Sequence, residues 1–179
     1  MNKMVTVDSD LFFAKVKYNA IIPSKRDEDG AMDVYACFEQ DHLIIDPHET
    51  RMIPTGIASA FSPKYVAILK ERGSNGSKGI AQRCGVIDSG YRNEWFVPLT
   101  NTNDRPVVIT KHPEMFGEGQ PLVSNYHANN EFIVYPYSKA IAQVMFVEVP
   151  KLDTHVVSYE DLKQFKSERG LGALGSSGK

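Results

Sequence analysis

The chain reads as an all-β protein, a sandwich, jelly roll or barrel, on three observations. Short apolar or alternating runs recur from residue 13 to residue 149. Gly, Pro, Asn and Asp punctuate them at close spacing. A hydrophobic share of 42% beside a charged share of 23%, over 179 residues, suffices for one domain with a full core.

Taken in order, residues 13–18 alternate apolar and polar and predict a half-buried strand. Residues 23–30 form a charged loop, and strand character resumes at residues 33–38 and 43–45, before a turn at Asp46-Pro47. Residues 51–61 predict a strand pair broken at Pro54-Thr55-Gly56. A clean apolar strand follows at 65–69, ending on a polar loop at 71–79. Further strands are expected at 80–84, 95–100, 107–110, 132–135 and 141–149, with Pro98 predicting an edge or a bulge. Residues 111–131 hold Pro113, Gly117, Gly119, Pro121 and an Asn129-Asn130 pair. Ordinary connections run to about 4–6 residues, so one this long is usually functional or disordered. Residues 158–166 predict a short helix packed on the body: Ser158 caps it, acids open it, and Tyr159, Leu162 and Phe165 share a face. Residues 170–179 contain four Gly and two Ser, the composition of a flexible terminus. The expected organisation is one β domain over residues 1–166, with an insert at 111–131, and an arm over 167–179.

Charge and composition exclude several classes. A formal net charge of −2 leaves no basic footprint for nucleic acid. Cys37 and Cys84 are far apart and the five histidines form no His-x-x-x-His pair, so neither a disulfide framework nor a metal motif is implied. Residues 1–10 carry two acids and lack the apolar core of a secretory leader. No apolar run approaches the roughly 18 residues of a membrane span. A cytoplasmic protein without direct nucleic-acid or membrane partners is expected.

The chemistry centres on Gly85-Val86-Ile87-Asp88-Ser89-Gly90-Tyr91. Strand-like runs flank it and Ser89-Gly90 supplies turn chemistry, so a hairpin is expected. It would present a carboxylate, an aromatic ring and backbone amides, which suit a nucleoside; a surface turn capped by its own Asp would look the same. Arg72-Gly73-Ser74 closes a strand and opens a Gly/Ser loop, either a phosphate cradle or an exposed turn. With Gly30-Ala31-Met32-Asp33-Val34-Tyr35-Ala36, Ala140-Ile141-Ala142-Gln143 and the run from Arg169 to Gly178, these make five ordered motifs. Together they resemble those of the trimeric dUTP diphosphatases (dUTPases), including phage-type members with an insert.

The resemblance implies a dUTPase-like distorted jelly roll (β-clip) that assembles as a homotrimer with shared active sites. It implies Mg²⁺-assisted hydrolysis of dUTP to dUMP and pyrophosphate, keeping uracil out of DNA. Asp88 would anchor the 3′-hydroxyl and activate water, Tyr91 would stack under the deoxyribose and exclude a 2′-hydroxyl, and Gly85, Val86 and Ile87 would read uracil. Gln82 would add a base contact or serve as an ordinary strand residue. Arg72, Gly73 and Ser74 would hold phosphate. Gln143 would bind phosphate or act as a structural amide, and Asp33 would approach the metal through water or hold a turn. Arg169, Leu174, Gly175, Ser176 and Ser177 would close the arm over the substrate. Gly73, Ala140 and Leu174 depart from the family pattern, which usually has Ser, Arg and Phe there. Two alternatives remain. A dCTP deaminase shares the fold but needs a Glu near the place of Pro98. A regulatory protein on this scaffold would bind a partner through residues 111–131.

Overall fold

The structure, a computed structural model, describes residues 10–116 and 132–172. The chain divides into two compact units, Met1–Val149 and Pro150–Lys179; the expected boundary at residue 166 falls inside the second.

In the first unit the strands are β1 (Leu11–Lys15), β2 (Met32–Val34), β3 (His42–Ile45), β4 (Thr50–Pro54), β5 (Ile57–Phe61) and β6 (Tyr65–Lys70). One helical turn, α1 (Gly73–Gly76), precedes β7 (Ile80–Gln82), β8 (Val86–Ile87), β9 (Phe96–Asn101) and β10 (Val107–Thr110). A 3₁₀ turn at Pro113–Phe116, β11 (Ile133–Pro136) and β12 (Ala142–Glu148) complete it. Among the described residues the strands form four small sheets, in strand orders β1-β5, β11-β10-β3, β2-β12-β6-β8 and β4-β9-β7. The all-β expectation holds, and the polar loop after β6 acquires one helical turn that loop composition did not announce.

The apolar runs become core for the expected reason. β9 and β10 are buried almost throughout, and Trp95, Ile45, Ile53, Val97, Leu99 and Ile141 fill the interior with them. Phe13, Trp95, Phe61 and Phe146 meet edge to face, joining β1, β5 and β12. Among the described residues no helix is long and apolar enough to cross a membrane.

Two expectations are corrected. Residues 85–97 do not make a hairpin: β8 pairs with β6, whereas β9 pairs with β4 and β7. The chain between them crosses from one sheet to another, because the backbone edges of β8 and β9 pair with different neighbours. Pro98 lies neither at an edge nor at a bulge but in β9, the centre of its sheet, opposite Met52. Its carbonyl accepts from Arg83 N–H at 2.9 Å, one residue past the end of β7. The proline's missing donor therefore falls where the neighbouring ladder has stopped, and no strand pair is lost.

In the second unit α2 spans Tyr159–Leu162, and Ser158 Oγ accepts from Asp161 N–H at 3.0 Å, as the capping pattern predicts. The helix ends four residues before Lys166. Tyr159, Leu162 and Phe165 are exposed.

Candidate active site

The site begins with strand register. β2 and β12 run antiparallel with Asp33 opposite Gln143, and Gln143 lies opposite Lys70 of β6. Paired residues share a sheet face, so Asp33 and Gln143 come together beside the end of β6. There the Arg72 guanidinium meets the Asp33 carboxylate, Nε 2.9 Å from Oδ1 and Nη2 3.3 Å from Oδ2. This is a two-point fork. Gln143 Nε2 donates to the Glu71 carbonyl at 2.7 Å, tying β12 to the same loop.

Beneath the loop lies a polar anchor. Asn75 is buried and its Nδ2 donates to the Ile141 carbonyl at 2.6 Å. The Tyr135 hydroxyl lies 2.7 Å from Asn75 Oδ1 and 2.6 Å from the Ala140 carbonyl. Burial pushes the Tyr135 phenol up from its ordinary value. Held this way, Gly73 and Ser74 head α1 at the rim of an open cavity of about 870 Å³. Asp33, Arg72, Ser74, Gln143, Lys25 and Arg26 are among its lining residues. Arg26 is held by Asp29 at 2.9 Å, and that hydrogen bond draws the Asp29 carboxyl below its ordinary range.

A second cavity of about 530 Å³ shares Arg72 and Gly73 with the first and is lined also by Gln82, Cys84, Gly85 and Val86. Gly85 is required here. Its φ is +143°, and a Cβ would sit 2.6 Å from the Leu69 carbonyl. Gln82 folds back on its own turn, with Nε2 donating to the carbonyls of Arg83 at 2.7 Å and Cys84 at 2.9 Å. Its amide thus shapes the turn that edges the cavity. Val86 is exposed and Ile87 buried, so Ile87 offers only its backbone, paired with Ala67.

Asp88 and Tyr91 are not among the residues lining either cavity; they stand on the crossing from β8 to β9, Asp88 two residues past Val86. The turn is closed by Tyr91 N–H donating to the Asp88 carbonyl at 3.0 Å, and the Tyr91 hydroxyl donates to the Glu94 carbonyl at 3.1 Å. Asp88 is exposed. In the second unit Arg169 Nε donates to the Gly172 carbonyl at 3.0 Å. Leu174, Gly175, Ser176 and Ser177 lie outside the described residues. The structure thus gathers Asp33, Arg72, Gly73, Ser74 and Gln143 at one cavity and Gln82, Gly85 and Val86 at its neighbour. Sequence reasoning missed Glu71, Asn75 and Tyr135. An Asn inside a Gly/Ser turn was the one available signal, and it resembled loop composition.

For Mg²⁺, the described residues contain no cluster of three or more His, Cys, Asp or Glu able to hold a metal ion. The first cavity offers Asp33 beside cationic and hydroxyl groups, a donor set that fits an ion carried on phosphates and touched through water.

A family model described as dUTPase matches residues 17–114. The deoxyuridine 5′-triphosphate nucleotidohydrolase of Herminiimonas arsenicoxydans is 30% identical over 155 residues, covering 84% of this chain and 83% of its own. That of Blochmanniella floridana is 31% identical over 149 residues, covering 80% and 81%. Among solved structures, the dUTPase of Staphylococcus bacteriophage 80alpha with dUpNHpp aligns at a TM-score of 0.70 and 21% identity over 95% of this chain and 99% of that one. The dUTPase from phage phi11 of S. aureus aligns at a TM-score of 0.64 and 19% identity, over 83% of this chain and 96% of that one. Its fold is thus shared with phage dUTPases, and by its sequence the chain belongs to the dUTPase family.

Proposed function

We propose that the chain is a dUTP diphosphatase that hydrolyses dUTP to dUMP and pyrophosphate by water attack on the α-phosphorus. The observation that carries this, beside family membership, is the convergence of Asp33, Arg72, Ser74 and Gln143 on one cavity adjoining that of Gly85. Backbone amides of Gly73 and Ser74, the Ser74 hydroxyl, Arg72 and Gln143 would bind phosphate oxygens. The backbone of Gly85, Val86 and Ile87, with Gln82, would meet the uracil edge. Asp88 would take the proton from water as the water oxygen bonds phosphorus and pyrophosphate departs. Tyr91 would pack under the deoxyribose. Arg169, Leu174, Gly175, Ser176 and Ser177 would cover the nucleotide.

Mg²⁺ would be held chiefly by the substrate's phosphates, with Asp33 near it through water, and would supply neutralisation of the charge that develops there. That Asp88 and Tyr91 are not among the residues lining the Arg72 cavity supports a homotrimer with shared sites. One chain gives Asp88 and Tyr91, another residues 72–74, and the third the arm. A deaminase has less support, because position 98 is a buried proline in mid-strand and offers no carboxylate. A reducing cytoplasm suits the two free cysteines.

The test is product release from dUTP, UTP, dTTP and dCTP with Mg²⁺. Pyrophosphate from dUTP alone supports the proposal, and ammonia from dCTP overturns it.

A protein partner at residues 111–131 is a second reading. The Phe116 ring meets those of His42 and Phe132 edge to face, so the described residues flanking 117–131 are clasped together and Met115 is left exposed. The phi11 dUTPase is itself described as carrying a species-specific insert. Replacing residues 117–131 by a short Gly/Ser turn, with the clasp kept, should preserve dUTP hydrolysis; a folded but inactive product would place the segment in the active site instead.

A further inference from the structure

The crossing that carries Asp88 and Tyr91 belongs to no hairpin, so its own ladder cannot hold it. A single guanidinium nitrogen compensates. Arg92 Nη1 reaches the Ser89 carbonyl, the Tyr91 carbonyl at 3.3 Å and the Ser59 carbonyl at 3.3 Å. Ser89 and Tyr91 are in the turn; Ser59 is in β5, which is paired with β1 and built into the body. One cation therefore stitches the turn to a fixed strand through backbone acceptors.

The far end of the crossing is pinned independently. Glu94 Oε1 accepts from Gly56 N–H at 2.8 Å and lies 3.6 Å from Lys17 Nζ, and its carbonyl accepts the Tyr91 hydroxyl. Trp95 then enters β9 as core. Between these ends the turn of residues 88–91 is closed by Tyr91 N–H on the Asp88 carbonyl, and Arg92 ties it to β5.

We infer that Arg92 is a positioning residue of the reaction: it holds Asp88 and Tyr91 at a fixed place above β5, without touching the reacting atoms. The inference rests on the assignment of Asp88 and Tyr91 above. Small displacements of reacting groups are costly in rate, so loss of the brace should act on turnover more than on phosphate binding.

The experiment compares Arg92→Ala, Arg92→Lys and Asp88→Asn in the full chain, with the double variant Asp88→Asn/Arg92→Ala. Pyrophosphate release from dUTP and hydrogen exchange at the Tyr91 amide are measured in each. Arg92→Ala should lower kcat about tenfold or more with a smaller change in KM, and should speed exchange at the Tyr91 amide, whose bond to Asp88 closes the turn. Arg92→Lys, which keeps a donor, should recover part of kcat. In the Asp88→Asn background, Arg92→Ala should add little, because both act through one group. Unchanged Tyr91 exchange would overturn the brace. Faster exchange with normal kcat, beside an inactive Asp88→Asn, would overturn the positioning role alone. Normal activity in Asp88→Asn would overturn the assignment of Asp88 and the inference with it.

Discussion

Two stretches of this protein, the loop after β6 and the segment that carries β8 and the turn after it, are held in opposite ways. The loop at residues 72–76 is fixed from below. Asn75 and Tyr135 are buried, and their hydrogen bonds reach the carbonyls of residues 140 and 141. The stretch at residues 84–91 is fixed by backbone geometry and by groups at its surface: left-handed φ at Cys84 (58°), φ of +143° at Gly85, and the guanidinium of Arg92. A loop anchored in the core depends on buried polar pairs, whose loss is a loss of folding free energy. A turn strapped at the surface leaves its exposed carboxylate separable from stability. The proposed phosphate-binding loop should therefore fail with the fold, and the proposed catalytic turn should fail without it.

The largest expected effect tests that separation directly. Asp88→Asn should reduce pyrophosphate release by about 10²–10⁴-fold. Its melting temperature should match the parent's, since Asp88 is exposed. A comparable fall in melting temperature would erase the contrast between the two regions.

Asn75→Ala should do the reverse. It strips the Ile141 carbonyl and the Tyr135 hydroxyl of a buried partner, at a cost of about 1–3 kcal/mol read from the urea midpoint. Any loss of activity should then follow the unfolded fraction.

The glycines sharpen the comparison. Gly85→Ala meets both an unfavourable φ and a backbone carbonyl 2.6 Å from the new Cβ, and should cost about 1–3 kcal/mol. Gly73→Ala, in a helical turn with nothing within 4 Å of its Cβ position, should leave stability level or raise it by about 0.4–1 kcal/mol. Equal costs at the two positions would mean that the turns are held by the same means.

The smallest effect is a pH dependence. Burial raises the Tyr135 phenol above 10.0 in the folded state. Below that pH both folded and unfolded phenols are neutral and the group adds no slope. Above it the unfolded chain loses its proton first, so stability falls as pH rises toward the folded value. Tyr135→Phe should flatten this fall while costing about 1 kcal/mol at neutral pH. Cys37 is raised by burial in the same direction from 9.0, so the difference between variant and parent, measured by denaturant titration from pH 8 to about 11, isolates Tyr135.

Periodicity and punctuation determined the class of fold. Alternating or apolar runs at 65–69, 107–110 and 141–149 became β6, β10 and β12 because a strand pattern has one way to bury its apolar positions. Local chemistry likewise set the Ser158 cap and the residue types of the site, since a carboxylate, a guanidinium or a Gly/Ser turn is legible wherever it stands. Tertiary structure alone decided which of these meet. That Asp33 faces Arg72 follows from the register of β2 on β12, a pairing across more than a hundred residues. That residues 85–97 cross between sheets, that Pro98 sits in a sheet centre, and that Asn75 turns inward to Tyr135 all depend on non-local partners. A sequence shows what each residue can bond; strand register and burial, set by the whole chain at once, choose the bond that forms.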